Sequence, residues 1–246
     1  MRTVLALVVV LVAAPAAAAQ NRELVHEGRN LYAGACVSCH GPDLQGVTTK
    51  RQGPQGRTEL GPPLVGVGAQ AAHFYLSTGY MPLYDPYRQP RRRRPIYTGR
   101  KLDALVAYIG SFGGPAIPQP HPERGNLAQG QRLFTENCSG CHQVVAEGGV
   151  VTDVVAPPLE DATATQIAEA VRVGPNVMPQ FSQRHISDRE LDSIVRYVLY
   201  AKHPDDRGGW SLGHLGPVPE GMVAWLLAGT VLVLAAAAIG SRVKRE

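Results

Sequence analysis

CVSCH at residues 36–40 and CSGCH at residues 138–142 decide the fold of this chain, and they contain every cysteine of its 246 residues. Two thiols separated by two residues lie about one helical turn apart, so both can form thioether bonds to the vinyl groups at one edge of a haem. The histidine that follows can ligate the iron. The sequence therefore predicts two covalently bound haem c groups. The predicted attachment cysteines are Cys36, Cys39, Cys138 and Cys141, and the predicted iron ligands are His40 and His142.

The alternatives for a CxxC pair are a redox dithiol and half of a zinc site. A zinc ribbon would place its two pairs close together and would show no preference for histidine. Here roughly a hundred residues separate the pairs, and both pairs end in histidine. This pattern favours haem attachment over both alternatives.

The composition suits small, loop-rich haem domains. The chain has 27 glycines and 20 prolines, which favours loops over long helices, and a porphyrin supplies apolar core that a short domain lacks. The formal net charge of +4 includes four consecutive arginines at residues 91–94. These form a local patch and not the composition of a nucleic-acid-binding protein, so we expect no nucleic-acid partner.

The first 19 residues have the pattern of a signal peptide. Arg2 precedes an uncharged apolar run, and small residues end at Ala19. We expect cleavage after Ala19, because the apolar run is short for spanning a bilayer. An uncleaved anchor is the alternative.

A second apolar run, residues 221–241, carries no charge. As a helix it would be about 31 Å long, which matches the hydrocarbon core of a membrane. Arg242, Lys244 and Arg245 follow it and predict a cytoplasmic C-terminus by the positive-inside rule. We therefore expect a single-pass protein of the cell membrane with extracytoplasmic haem domains; a buried core helix is the alternative.

An internal repeat extends beyond the two haem motifs. Each copy has a glycine, a leucine and an aromatic residue before the motif, then Pro-Pro-Leu, Met-Pro and a Leu-Asp pair with a later tyrosine. The matched segments are residues 28–32 with 130–134, 62–64 with 157–159, 79–82 with 174–179, and 102–108 with 191–197. In each copy we expect a helix running into the haem motif, an irregular Gly/Pro-rich stretch, a Met-Pro loop and a closing helix.

The closing helices are visible as apolar residues at helical spacing. In the second copy Ser187 stands before Asp188 and Glu190, which predicts an N-cap with an acidic first turn. The predicted parts are a signal peptide at 1–19, a first haem domain at 20–112, a linker at 113–126, a second haem domain at 127–202, a tether at 203–220, a transmembrane helix at 221–241 and a cytoplasmic tail at 242–246.

Met81 and Met178 are the candidates for the sixth iron ligands. They occupy matched places in the repeat, and each is followed by proline, which restricts the loop backbone. A His/Met pair raises the reduction potential of a haem and suits an electron carrier. The alternative is that both methionines only fill gaps in the core. His73 and His185 are the next candidates, since each lies within reach of a ligand loop.

The sequence also allows predictions for two further segments. The Pro-Pro-Leu segments are expected to pass the haem-motif histidines, where a backbone carbonyl could accept the second ring N–H. The Arg/Tyr-rich loop at residues 82–97 has no counterpart in the second copy. It is either a solvated loop or a docking surface for an acidic partner or anionic lipid headgroups.

With these motifs, the chain resembles the dihaem cytochrome c subunit of actinobacterial-type cytochrome bc complexes, which are menaquinol-cytochrome c reductases. The resemblance rests on CVSCHGPDLQGV, STGYMPL, the tandem motifs, and the tail SLGHLGPVPEGMVAW that leads into the last apolar run. It implies a mainly α fold, with two tandem cytochrome c-like domains and one C-terminal transmembrane helix. The Arg/Tyr-rich loop departs from the family pattern, so contacts there should not be transferred.

The resemblance also implies a function in electron transport. Electrons would pass from a Rieske iron-sulfur protein through two haems to a terminal cytochrome c oxidase, within a dimeric complex that includes a cytochrome b subunit. The chain would act as the electron-transfer subunit of an oxidoreductase complex. The sequence contains no catalytic triad or carboxylate pair that we would propose as a separate substrate site.

Two other functions fit the haem motifs. One is a dihaem cytochrome c that serves another oxidase or a dehydrogenase. The other is a dihaem peroxidase-type enzyme, which needs an iron with an open or exchangeable sixth position. The two Met-Pro candidates argue against the enzyme.

Overall fold

The structure, a computed structural model, describes residues 2–49, 59–85, 88–151, 154–205 and 217–243. Within these residues one series of elements occurs twice, and a separate long helix follows. Each series contains a helix, a one-turn helix that ends at the haem-motif histidine, a two-stranded antiparallel hairpin and two further helices. The mainly α fold predicted from the sequence is confirmed.

The bounds of the elements follow the repeat. The first series is α1 (Arg2–Ala35), α2 (Val37–His40), β1 (Val47–Thr48), β2 (Glu59–Gly61), α3 (Gly68–Ser77) and α4 (Arg100–Gly110). A short 3-10 helix at Pro122–Arg124 precedes the second series, which is α5 (Leu127–Asn137), α6 (Ser139–His142), β3 (Gly149–Val151), β4 (Val154–Ala156), α7 (Ala164–Val173) and α8 (Asp188–Lys202). The long helix is α9 (Pro217–Val243).

The first and last helices of each series cross at a glycine. A Cβ on Gly28 would lie 2.0 Å from the carbonyl oxygen of Ala104, and a Cβ on Gly130 would lie 1.9 Å from that of Ser193. Any larger residue would force the helices apart. The glycines of the sequence repeat therefore allow α1 to pack closely on α4, and α5 on α8.

Each crossing is flanked by an aromatic pair at matched positions. The rings of Tyr32 and Tyr108 are 5.4 Å apart in the first domain, and those of Phe134 and Tyr197 are 5.4 Å apart in the second. All four side chains are buried. In each domain the pair fixes the first and last helices of the series beside the haem motif, which lies between them in the chain.

Each domain has its own apolar core. In the first, the buried residues Tyr32, Leu44 and Leu105 belong to one cluster. In the second, Phe134 and Val195 belong to a separate cluster. Full burial of side chains of this size contributes about 2 kcal/mol each, so each domain has a core of its own before any cofactor is added.

Two features of each domain were not predicted. The stretch expected to be irregular contains a hairpin and a helix, β1–β2 with α3 in the first domain and β3–β4 with α7 in the second. Helix α7 begins with a capping box in which Thr163 and Gln166 bond each other's backbone N–H. The T-x-x-Q pattern in the sequence was an available signal for this helix.

Other local predictions agree with the structure. Helices run into both haem motifs, and the closing helices are α4 and α8. The hydroxyl of Ser187 accepts from the N–H of Glu190 at 3.3 Å, and the Glu190 carboxylate accepts from the N–H of Ser187 at 2.8 Å. This reciprocal pair is the cap predicted for α8.

The segment predicted as a linker, residues 113–126, is docked near both of its ends. The carbonyl of Pro115 accepts from the N–H of Gln70 on α3 at 3.2 Å. The N–H of His121 donates to the carboxylate of Asp192 on α8 at 2.6 Å. The connection between the domains is therefore bonded to both of them.

The remaining predicted parts lie at the two ends of the chain. Helix α1 continues through Ala19, and cleavage after that residue stays a prediction. Residues 206–216, most of the predicted tether, and residues 244–246 of the tail lie outside the described residues.

The chain divides into two units after Lys202, and the second unit contains α9. Within the described part of the chain, one helix is long and apolar enough to cross a membrane. Its span is Gly221–Ser241, with a mean hydropathy of 2.4. It is a candidate span by its length and composition.

Candidate haem sites

Both haem motifs fold as a single helical turn. The carbonyl of Cys36 accepts hydrogen bonds from the N–H groups of Cys39 at 3.2 Å and His40 at 2.9 Å. In the second motif the Cys138 carbonyl accepts from Cys141 at 3.1 Å and from His142 at 2.9 Å. The turn brings the two cysteines and the histidine of each motif together, as the chemistry of haem attachment requires.

The two histidines are buried and held by the same kind of partner. Nδ1–H of His40 donates to the carbonyl of Pro62 at 2.8 Å, and Nδ1–H of His142 donates to the carbonyl of Pro157 at 3.1 Å. Because a carbonyl can only accept, Nδ1 carries the proton and the Nε2 lone pair is left for a metal. The predicted approach of both Pro-Pro-Leu segments to the histidines is confirmed.

Burial also favours the neutral form of these rings. It lowers the pKa of both His40 and His142 below the usual histidine value, although the prolyl carbonyl bonds oppose the shift. Only the neutral ring has a lone pair to give to iron. Each histidine is therefore prepared to act as a ligand through Nε2.

Two glycines that sequence reasoning missed bring the prolyl carbonyls into position. Gly46 has φ +80° and Gly148 has φ +74°, a backbone conformation that favours glycine. A Cβ on Gly46 would lie 2.7 Å from the carbonyl oxygen of Gly61, and a Cβ on Gly148 would lie 2.4 Å from that of Ala156. Each glycine stands six residues after its motif histidine, a matched spacing that the repeat alignment could have shown.

The four cysteines of the two motifs form no disulfide bond, and burial raises the pKa of Cys36 and of Cys138 to about 11. Among the described residues, no group of three or more His, Cys, Asp or Glu side chains could hold a metal ion.

Each candidate methionine joins the apolar cluster of its own domain. Met81 packs against the cluster that also contains Cys36 and Leu64, and its N–H donates to the carbonyl of Tyr75 at 3.0 Å. The Met81–Pro82 peptide bond is cis. The structure thus brings this methionine, the first motif cysteine and the Pro-Pro-Leu segment into one apolar cluster.

The second domain repeats the arrangement. Met178 is half-buried and packs against the cluster that contains Cys138 and Leu159. Its N–H closes a turn with the carbonyl of Pro175 at 3.0 Å. Each domain thus offers an imidazole nitrogen from its motif histidine, a thioether sulfur from its methionine and the two cysteines of its motif. This set of groups fits a covalently bound haem.

The other candidate ligands have different surroundings. Nδ1 of His73 lies 2.7 Å from Oε1 of Glu169, across the boundary between the two domains. His185 is exposed and its ring lies 5.5 Å from that of Phe181. These contacts favour packing and surface roles for both histidines.

Comparison with known families matches each domain separately. Residues 25–112 match the family described as "Cytochrome c". Residues 125–198 match "Cytochrome C oxidase, cbb3-type, subunit III". Together with the two motif turns and their paired histidines, these matches define a protein with two tandem cytochrome c domains, as predicted.

Curated relatives narrow the class to one family. The chain is 37% identical to the "Cytochrome bc1 complex cytochrome c subunit" of Corynebacterium diphtheriae, over 93% of this chain and 85% of the relative. The protein of the same name from Mycobacterium tuberculosis is 37% identical over 89% of this chain and 78% of its own length. The chain belongs to the family of cytochrome c subunits of cytochrome bc1 complexes.

More distant likenesses cover less of the chain or have less similar structures. The "Cbb3-type cytochrome c oxidase subunit CcoP" of an Azospirillum species is 31% identical, over 42% of this chain and 36% of its own. Among solved structures, the "Kuenenia stuttgartiensis reducing HAO-like protein complex Kustc0457/Kustc0458" covers 71% of this chain and 95% of the matched chain, at 18% identity. Its TM-score of 0.37 is too low to support an argument.

Proposed function

We propose that this chain is the membrane-anchored, dihaem electron-transfer subunit of a quinol-cytochrome c reductase. It is part of an oxidoreductase complex and has no substrate site of its own. Each covalently bound haem would supply reversible one-electron chemistry at its iron. The protein holds, orients and buries the two groups.

The proposed ligands follow the repeat. Cys36 and Cys39 attach the first haem, and its iron is ligated by His40 and Met81. Cys138 and Cys141 attach the second haem, and its iron is ligated by His142 and Met178. A thioether ligand favours ferrous iron and raises the reduction potential, which suits a carrier near the oxidising end of a respiratory chain.

One observation carries the assignment. The same arrangement occurs twice: a motif histidine that donates through Nδ1 to a prolyl carbonyl, and a methionine in the apolar cluster of the first motif cysteine. Such a carbonyl partner fixes the tautomer and orientation of an iron-ligating histidine. A redox dithiol would not require this histidine geometry, because its chemistry takes place at the sulfurs.

The proposed partners follow from the family. The chain would assemble with a cytochrome b subunit and receive electrons from a Rieske iron-sulfur subunit. It would deliver them to a terminal cytochrome c oxidase, in a complex that is dimeric. Helix α9 would anchor it in the cell membrane, with the C-terminus in the cytoplasm because Arg242, Lys244 and Arg245 follow the span.

Extraction of the complex in mild detergent tests this function. Native electrophoresis with haem staining should find the chain in a band that also contains cytochrome b and Rieske polypeptides, identified by mass spectrometry. A haem-stained band with oxidase subunits and no cytochrome b would contradict the proposal. It would favour an oxidase subunit, for which the similarity to the cbb3-type family over residues 125–198 is the supporting observation.

A further inference from the structure

The Arg/Tyr-rich loop of the first domain reaches across to the second domain. The side-chain amide of Gln89 forms two hydrogen bonds with the backbone of Val155 on β4: its Nε2 donates to the carbonyl at 2.8 Å, and its Oε1 accepts from the N–H at 3.0 Å. One side chain therefore satisfies both backbone groups of a strand residue, as a neighbouring strand would.

Arg92 makes a second contact across the same boundary. Its Nη2 donates to the carbonyl of Asp161 at 2.8 Å and to the side-chain oxygen of Gln166 at 2.9 Å. Hydrogen bonds from a guanidinium are stronger than those between neutral groups. Of the arginines at 91–94, Arg92 is half-buried while the other three are exposed. Arg92 therefore contacts the second domain, and the other three arginines form a solvated surface.

Gln166 connects this contact to α3. Its Nε2 donates to the carbonyl of Ser77 at 3.3 Å and to the Ser77 hydroxyl at 3.1 Å. The same side chain closes the capping box of α7. The start of α7 is thus bonded to the last turn of α3 and to the loop at once.

The loop is also fixed to the segment that leads into Met81. The N–H of Arg93 donates to the carbonyl of Thr78 at 3.2 Å. A Cβ on Gly79, whose φ is +69°, would lie 2.2 Å from the carbonyl oxygen of Arg93. The guanidinium of Arg93 lies 4.4 Å from the ring centre of Tyr84, which braces the loop from within.

We propose that Gln89 and Arg92 are positioning residues, which form an interdomain clamp that holds the second haem domain in a fixed place against the Met81 loop of the first. Electron transfer between two centres falls steeply with their separation, so the clamp would set the rate at which they exchange electrons. This consequence rests on the proposed function, whereas the clamp itself does not.

Hydrogen exchange of the full-length protein in detergent tests the clamp. Arg92→Gln should speed exchange at the Val155 amide, which Arg92 does not touch, on the order of tenfold, because the loop loosens as a unit. Gln89→Ala should also speed exchange at the Val155 amide, because it removes the side-chain oxygen to which that amide donates. Arg91→Gln is the matched control, since it removes the same charge from an exposed position of the same loop.

A second readout concerns the distance between the domains. Pulsed EPR of the oxidised protein should show a broader distribution of iron–iron distances in Arg92→Gln than in Arg91→Gln, with both reduction potentials unchanged. Arg92→Lys keeps the charge and a donor and should restore most of the protection at Val155. A merely local role would leave the distance distribution unchanged.

The proposal of a clamp is overturned if the Val155 amide exchanges in Arg92→Gln at the same rate as in the Arg91→Gln control. Haem staining of the same preparations separates this failure from that of the proposed function. If the protein carries no haem, the proposed function fails, and the exchange at Val155 still decides whether the loop holds the domains together.

Discussion

Nδ1 of His73 on α3 lies 2.7 Å from Oε1 of Glu169 on α7, so an ionisable pair joins the two haem domains. Glu169 is fully buried, and within the described residues its Oε2 has no hydrogen-bond partner. A carboxylate in this position is costly unless it is paired or protonated. A proton held at this pair therefore favours the contact between the domains.

The pair predicts a contribution to stability that falls as the pH rises. The hydrogen bond to Glu169 raises the pKa of His73 above its usual 6.5, against the opposing effect of burial, and Asp103 adds a smaller upward contribution. Burial also raises the pKa of Glu169, and its hydrogen bond to His73 opposes that shift. In both groups the folded state binds protons more tightly than the unfolded state.

The contribution of His73 is fully present below pH 6.5 and is lost as the pH rises through its raised folded value. Glu169→Gln should flatten this dependence, and thermal unfolding from about pH 5.5 to 8.5 measures it. Glu147→Gln, at an exposed carboxylate of the same domain, is the control and should keep the wild-type slope. An equal pH dependence of stability in the wild type and in Glu169→Gln would show that the pair does not hold the proton.

The glycine at the crossing of α1 and α4 makes a steric prediction. Gly28→Ala should destabilise the protein by about 2 to 3 kcal/mol, because the added Cβ would meet the Ala104 carbonyl at 2.0 Å. Gly34→Ala is the matched control in the same helix, since a Cβ there would have no neighbour within 4 Å. It should be neutral or stabilise by up to about 1 kcal/mol. Equal denaturation midpoints for the two variants would contradict the close crossing.

The proposed sulfur ligands predict domain-specific changes. Met81→Ala should alter the spectrum of the first haem and lower its reduction potential by on the order of 100 mV, because a thioether stabilises ferrous iron. Met178→Ala should do the same to the second haem alone. Redox titration followed by absorbance measures both. Met222→Ala, at an exposed position of α9, is the control, and unchanged spectra in the first two variants would remove the methionines as ligands.

Much of each haem domain could be predicted because its signals are local and occur twice. Three of these signals are the cysteine spacing of the motifs, the helical spacing of the apolar residues around Leu191 and the cap at Ser187. Each signal involves residues that are only a few positions apart in the chain. The repeat then supported the same architecture in the first domain. The matched Pro-Pro-Leu segments were enough to predict the carbonyl partners of His40 and His142, which the structure has.

The contact between the domains could not be predicted, because its partners are far apart in the chain and follow no period. Gln89 and Val155 are 66 residues apart, and nothing in a run of four arginines distinguishes Arg92 from its neighbours. Glu169 lies in an amphipathic helix, where a glutamate ordinarily faces solvent. Its burial follows from the packing of α7 against α3 of the other domain.

The mass of the purified, denatured chain tests the central claim most directly. Covalent attachment predicts the mass of the polypeptide plus two haem groups, and a Cys138→Ser, Cys141→Ser double variant should carry one haem fewer. Thioether bonds survive denaturation, so a loosely bound cofactor would not give this result. A chain with no added mass would contradict the account of this protein as a dihaem electron carrier.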